Sequence, residues 1–219
     1  MRRAGGLAHH GPAVDVHGGT DRLPPVPGDA GYVARALGPD TWDAFAELVE
    51  RNNGVFGGCW CMGWHPEFRT GVDNRTAKED RVRTGRAHAA LVLDRDGVAQ
   101  GWCQYGSPAE LPRIKHRREY DKDTPPQPDW RITCSYVDTR HRGQGVARTA
   151  LSGALALIAE AGGGRVEAIP EVTTGRTAPG RFLYSATVEL FEDHGSTRVR
   201  RVGKHAWVVG RVVDGARDR

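Results

Sequence analysis

At 219 residues, with a formal charge of +4 and a hydrophobic fraction of 38% that includes six Trp, the chain can bury one sizeable core, and its length favours one domain over two. The pI of about 9.0 is carried almost wholly by Arg, a mild basic balance that suits an anionic ligand as well as nucleic acid; the arginines are dispersed and no nucleic-acid recognition motif accompanies them. No secretory stretch precedes the four cysteines, Cys59, Cys61, Cys103 and Cys134, and no run of about 18 apolar residues occurs, so the expectation is a soluble cytoplasmic chain with reduced thiols and no membrane partner.

Residues 1–29 carry many Gly, Pro and His without apolar periodicity and are expected to be a flexible tail, with residues 30–213 forming one domain and 214–219 a C-terminal tail. Tyr32 to Leu37 alternates as a strand does. Gly38-Pro39-Asp40 signals a helix start, Trp42, Phe45, Leu48 and Val49 follow at helical spacing, and Asn52-Asn53-Gly54 stops the run. A second helix is predicted over Asn74 to Thr84, capped by Asp73. Between them "VFGGCWCMGWHPEF" reads as a packed loop or short strand. Cys59-Trp60-Cys61 is not the C-x-x-C spacing of a zinc knuckle, no second pair lies nearby, and the thiols are expected to pack with Trp60 and Met62; no metal is expected.

"HAALVLD", the turn Arg95-Asp96-Gly97 and "VAQGWCQYG" form a hairpin. The polar connection from Ser107 to Asp129 is long for a compact domain, as functional flaps and disordered segments are. Trp130 to Val137 is a buried strand. A helix is predicted from Val146 to Ala161, with Leu151, Leu155 and Ile158 on one face and Gly162-Gly163-Gly164 ending it. "RVEAIP" is a strand, "RFLYSATVELFEDHG" a helix, and "AWVVGRVV" a last strand. The order β-α-α-β-β-β-α-β-α-β describes an α/β fold with a mixed sheet and flanking helices.

The junction "YVDTRHRGQGVARTAL", Tyr136 to Leu151, joins a strand to a helix. First-turn amides lack partners and the helix dipole is positive there, so the place suits an anion. Gly143 and Gly145 let a phosphate approach the backbone, and Arg140, Arg142 and Arg148 add charge. The Gly-Lys-Ser/Thr ending of a P-loop is missing, as are the three glycines and later acid of the dinucleotide fingerprint. A glycine-rich turn with solvated arginines would read the same way.

Arg140 to Ala147 resembles the R/Q-x-x-G-x-G/A pyrophosphate loop of the GNAT acyltransferase superfamily, within a V-D-x-x-x-R-G-x-G run that begins at Val137. The resemblance spans about residues 31–213. "GWCQYGSPAEL", "VEAIPE", "LFEDHGS" and "CWCM" are similar to a bacterial subgroup of diverse substrates. It implies a mostly antiparallel sheet with a splayed parallel strand pair, flanked by helices. It implies an enzyme that moves an acetyl group from acetyl-CoA to an amine, of a small molecule or a protein, by direct attack, with a homodimer among the assemblies open to it.

In the family's pattern Tyr136 and Val137 would meet the pantetheine arm, and Arg142, Gly143, Gln144, Gly145, Val146, Ala147 and Arg148 would cradle the pyrophosphate. The family's proton-donating Tyr in L-Y-x-x-x-G-F is replaced here by Phe191, which cannot donate. Tyr184, expected near the start of the same helix, is the remaining phenol, with packing as its other reading. Glu167 on the splayed strand is the candidate base, with His65, His116 and Glu171 behind it. Cys134 could form an acyl-enzyme or pack as a small buried residue. With the usual donor gone, a non-catalytic acyl-CoA-binding module is the second reading.

Overall fold

A computed structural model describes residues 26–27, 31–123, 126–175 and 183–216. The expected flexible tail lies outside these residues up to position 25, but Val26–Pro27 is a short strand, β1, paired antiparallel with β2 (Val33–Ala36).

Helix α1 (Trp42–Glu50) starts one step later than Gly38-Pro39-Asp40 suggests. Thr41 occupies the cap position, and its hydroxyl accepts from the Gly38 amide at 2.9 Å. Helix α2 (Asn74–Arg83) is capped as expected, Asp73 accepting from the Thr76 amide at 2.9 Å. The segment between them is a succession of turns, with Asn53, Val55, Phe56, Trp60, Cys61 and Arg69 at positive φ, and not a strand.

β3 (His88–Leu93) and β4 (Ala99–Gly106) form the hairpin. Asp94 fixes its turn by accepting from the amides of Asp96 and Val98 at 3.0 and 2.9 Å. The connection from Ser107 holds a short helix, α3 (Arg117–Tyr120), and is anchored by Leu111 and Tyr120, both buried. β5 (Trp130–Val137) and α4 (Val146–Glu160) fall where the sequence places them.

β6 (Gly163–Ala168) begins inside the glycine triplet, so those glycines end α4 and also open the strand. The predicted last helix shrinks to α5 (Val188–Asp193), capped by Thr187. Ala186, with φ of 59°, lies outside the helical region, and Tyr184 therefore sits in the turn before the helix and not on it. β7 (Thr197–Arg201), absent from the sequence reading, pairs with β8 (Trp207–Asp214). Its burial is slight, so it has no apolar signature to read.

Among the described residues the strands form one eight-stranded sheet in the order β1-β2-β3-β4-β5-β6-β8-β7, antiparallel throughout except for β5 and β6. α4 covers one face, burying Val146, Ala150, Leu151, Ala154 and Ile158 with Ala90, Val92, Ile132 and Val166. α1 and the turns after it cover the other, where Trp42, Phe45, Leu48 and Met62 meet Leu91, Trp102 and Cys134. At about 25 cal/mol per Å² of apolar surface, these two layers supply most of the driving force for folding. Among the described residues no helix is long and apolar enough to cross a membrane.

Candidate active site

The parallel pairing of β5 and β6 covers only Trp130↔Val166, Arg131↔Glu167 and Ile132↔Ala168, although β5 continues for five more residues. Beyond that point the strands diverge and the turn before α5 enters between them. The Ser135 amide donates to the Tyr184 carbonyl at 2.6 Å, the Glu171 amide to the Ala186 carbonyl at 3.3 Å, and the Val188 amide to the Glu171 carbonyl at 3.0 Å. Backbone groups alternate sides along a strand, so the Val137 amide faces the same opening as that of Ser135.

A cavity of about 610 Å³ occupies this opening and runs onto the start of α4, a volume in the range of small-molecule sites. Tyr136, Val137, Arg142, Gly143, Gly145, Val146, Ala147 and Arg148 all line it, so eight of the nine residues expected to bind cofactor share one surface. Gln144 is the exception. Its amide is turned back, accepting from the Tyr32 hydroxyl at 3.1 Å and donating to the Arg140 carbonyl at 3.0 Å, which clamps the loop.

Gly145, at φ of 89°, is the cap of α4 and offers no side chain to the first-turn amides. Gly143, at φ of 74°, would point a Cβ into open space. Both conformations favour glycine, and together they leave backbone N–H groups facing the cavity, a place where a phosphate can dock. A diphosphate with an extended arm fits these residues: the amides of the 143–145 turn at one end, and the strand edge of Ser135 and Val137 at the other.

Asp138 holds the loop from beneath. Its carboxylate is fully buried and accepts from the Arg140 amide at 3.1 Å, from the Arg140 guanidinium at 2.9 Å, from Arg51 at 3.3 Å and from Asn52 at 3.2 Å. The Arg140 contact, ahead of the other donors, holds its carboxyl far below the usual carboxylate range. Sequence reading missed Asp138, and also Phe56, Ser135, His141, Ala186 and Leu190 on the cavity wall. Phe56 was legible only as part of an aromatic, glycine-rich loop.

A second, smaller cavity of about 20 Å³ is lined by Trp64, Lys115, Arg131, Thr133, Glu167 and Ser185 among others, and Tyr184 packs against a wall residue of each cavity. Its ring meets Phe56 at 6.1 Å and Trp64 at 6.1 Å, and burial, then Glu171, raises its hydroxyl pKa above the usual value. Glu167 does not share the larger cavity. It is buried in the smaller one, accepts from the Tyr120 hydroxyl at 3.0 Å and lies 3.9 Å from Arg131; burial outweighs both and raises its pKa.

The weaker candidates separate. His65 is sealed in the core beside Gln104 at 2.8 Å, and burial, then Lys78, pushes its pKa down to about 2. His116 starts α3, and burial lowers its pKa. Glu171 accepts from Lys115 at 2.6 Å. Cys134 faces the core beside Cys61, whose hydrogen bond, followed by burial, raises its pKa and keeps it a thiol. All four cysteines are free, and Trp60, Cys61 and Met62 are packed as expected. Among the described residues no group of three or more His, Cys, Asp or Glu could hold a metal.

The sequence profile described as the acetyltransferase (GNAT) family matches residues 58–185. No curated protein matches the chain. Among solved structures it is similar to the histone acetyltransferase HPA2 and related acetyltransferase from Corynebacterium glutamicum, at 16% identity and a TM-score of 0.49, over 84% of this chain and 98% of that one. It is also similar to a phosphinothricin acetyltransferase from Sinorhizobium meliloti in complex with AcCoA, at 13% identity and 0.47, over 85% and 92%. A third is a mosquito arylalkylamine N-acetyltransferase-like protein, at 13% and 0.49, over 83% and 99%.

Proposed function

Because the chain belongs to the acetyltransferase (GNAT) family, we propose that it transfers an acetyl group from acetyl-CoA to an amine of a small molecule by direct attack, working in the cytoplasm as one domain over residues 30–213. The observation that carries this reading is the single cavity in which the glycine amides of the 143–145 turn and the edge of β5 face the same space.

In this reading Gly143 to Arg148 hold the pyrophosphate and Val137 offers its amide to the arm and the thioester oxygen, where a positioned donor favours the charge that develops during attack. Acetyl-CoA supplies the activated acyl group. The acceptor would approach from the side of the smaller cavity, which as it stands has room for about one water. Glu167, whose raised pKa brings it nearer neutrality, receives a proton from the acceptor. Tyr184, packed against a wall residue of each cavity and protonated through the neutral range, returns one to the leaving sulfur. Cys134 stays a buried thiol, which favours direct transfer over an acyl-enzyme.

The test is calorimetry with CoA together with thiol release from acetyl-CoA over a panel of amines. The wild type should bind CoA and release thiol with at least one amine, and Gly145→Trp should lose binding while keeping its circular dichroism. Binding with no release above the blank would leave a non-catalytic acyl-CoA-binding module; CoA binding retained in Gly145→Trp would sink the cradle assignment.

A further inference from the structure

We propose that Lys115 is itself an acetyl acceptor, so that the chain acetylates its own ε-amine in the cleft. The inference rests on the acetyl-CoA reading above. The sequence contains four lysines. Lys78 is sealed in the core, and Lys122 and Lys204 are exposed and line neither cavity. Lys115 alone among them reaches the cleft, its side chain only 11% exposed on the wall of the smaller cavity.

Its Nζ donates to Glu171 Oε1 at 2.6 Å and to Ser185 Oγ at 3.2 Å, and lies 5.1 Å from the centre of the Tyr184 ring. A carboxylate, a hydroxyl and an aromatic face are what an acceptor ammonium needs around it before it reacts. The same short segment faces the cofactor side. The carbonyl of Tyr184 holds the Ser135 amide at 2.6 Å, and Ala186, next after Ser185, lines the larger cavity. The amine is thus placed on the residues that mark where the strands part, and a flexible four-carbon stem carries it.

The step balances without any further reagent. Lys115 gives one Nζ proton to Glu171 and attacks the thioester carbonyl carbon with the freed lone pair. An N–C bond forms, the C–S bond breaks, and its electron pair leaves on sulfur, which takes a proton from Tyr184; the acylated nitrogen then gives its second proton to the Tyr184 phenolate. The products are Nε-acetyl-Lys115 and CoA, and one proton is released to solvent as Glu171 and Tyr184 recover their starting states. Acetylation removes the positive charge that pairs with Glu171 and faces Tyr184, so the modified cleft has a different charge for any other acceptor.

The experiment incubates the full chain with deuterated acetyl-CoA, without added amine, and maps labelled peptides by mass spectrometry over time. Lys115 should gain one acetyl group at least ten times faster than Lys122 or Lys204, Glu171→Gln should slow that gain about tenfold, and Lys115→Arg should leave no fast-labelling site. Labelling of Lys115 no faster than the exposed lysines, or as fast in Gly145→Trp as in the wild type, would overturn the proposal, because the cleft would not be responsible. Calorimetry on the same sample separates the two readings. CoA binding with an unlabelled Lys115 overturns this inference alone, whereas no CoA binding overturns the cofactor reading with it.

Discussion

The carbonyl of Tyr184 accepts from the amide of Ser135 at 2.6 Å, at the point where β5 has lost β6 as a partner. A backbone contact thereby fixes Tyr184, whose ring packs on Phe56 and Trp64. Tyr184→Phe preserves that contact and the ring packing. It is expected to leave CoA affinity within about twofold and to lower kcat about 100-fold, the usual scale for losing a positioned acid. Single-turnover kinetics with calorimetry checks this; an unchanged rate would remove Tyr184 from the chemistry.

Glu167 has its pKa raised by burial, so it takes up its proton at higher pH than an exposed glutamate. The acidic limb of kcat/KM should therefore lie above the ordinary Glu value of about 4.3. Glu167→Gln should lose that limb and about 100-fold in rate. A pH-rate profile that keeps the limb in the variant assigns the base elsewhere.

Asp138, fully buried under the loop, is held ionised by Arg140, Arg51 and Asn52. Its depressed pKa means that its contribution is complete above the unfolded value of about 3.9 and is lost as pH falls from there toward the folded value. Asp138→Asn leaves Arg51 without its charge partner and should cost about 3 kcal/mol at neutral pH. Denaturant titrations from pH 7 downward should show the wild type losing this advantage below about pH 4, while the variant changes less.

Lys78 is fully buried and its Nζ has no hydrogen-bond partner among the described residues, with Cys61, Cys134, Glu110 and Arg81 as its charged or titratable neighbours. Burial lowers its pKa, so folding disfavours the ammonium and stability rises with pH toward the unfolded value of about 10.4. Lys78→Met keeps the shape without the polar end. Its Tm should rise by about 2 °C or more, and its stability should climb less steeply from pH 7 to 9. Calorimetric scans across that range check both.

Elements with a local signature were legible in the sequence. The Asp94 to Gly97 turn, the Asp73 cap and the limits of β5 follow from side-chain alternation and from residues that bond to amides two or three positions away. The last helix was read too long because the apolar spacing over 183–191 fits a helix. In the fold, Leu183 and Ala186 serve the cavity, and Tyr184 bonds to β5. β7 was missed because an edge strand of Arg and Thr buries little. Gln144 sits inside the motif yet points away from the cavity, because Tyr32, 112 positions earlier, offers it a partner.

The sequence by itself determined a turn suited to an anion, since glycines ahead of a helix leave first-turn amides without side-chain caps. It also determined what is missing, since Phe191 has no proton to give. Only the tertiary structure decided what gathers where β5 and β6 part. Phe56, Lys115, Glu171 and Tyr184 are brought to one place by the parting of two strands and by long connections. Loop closure costs grow only slowly with length, so such contacts leave no spacing rule in the chain.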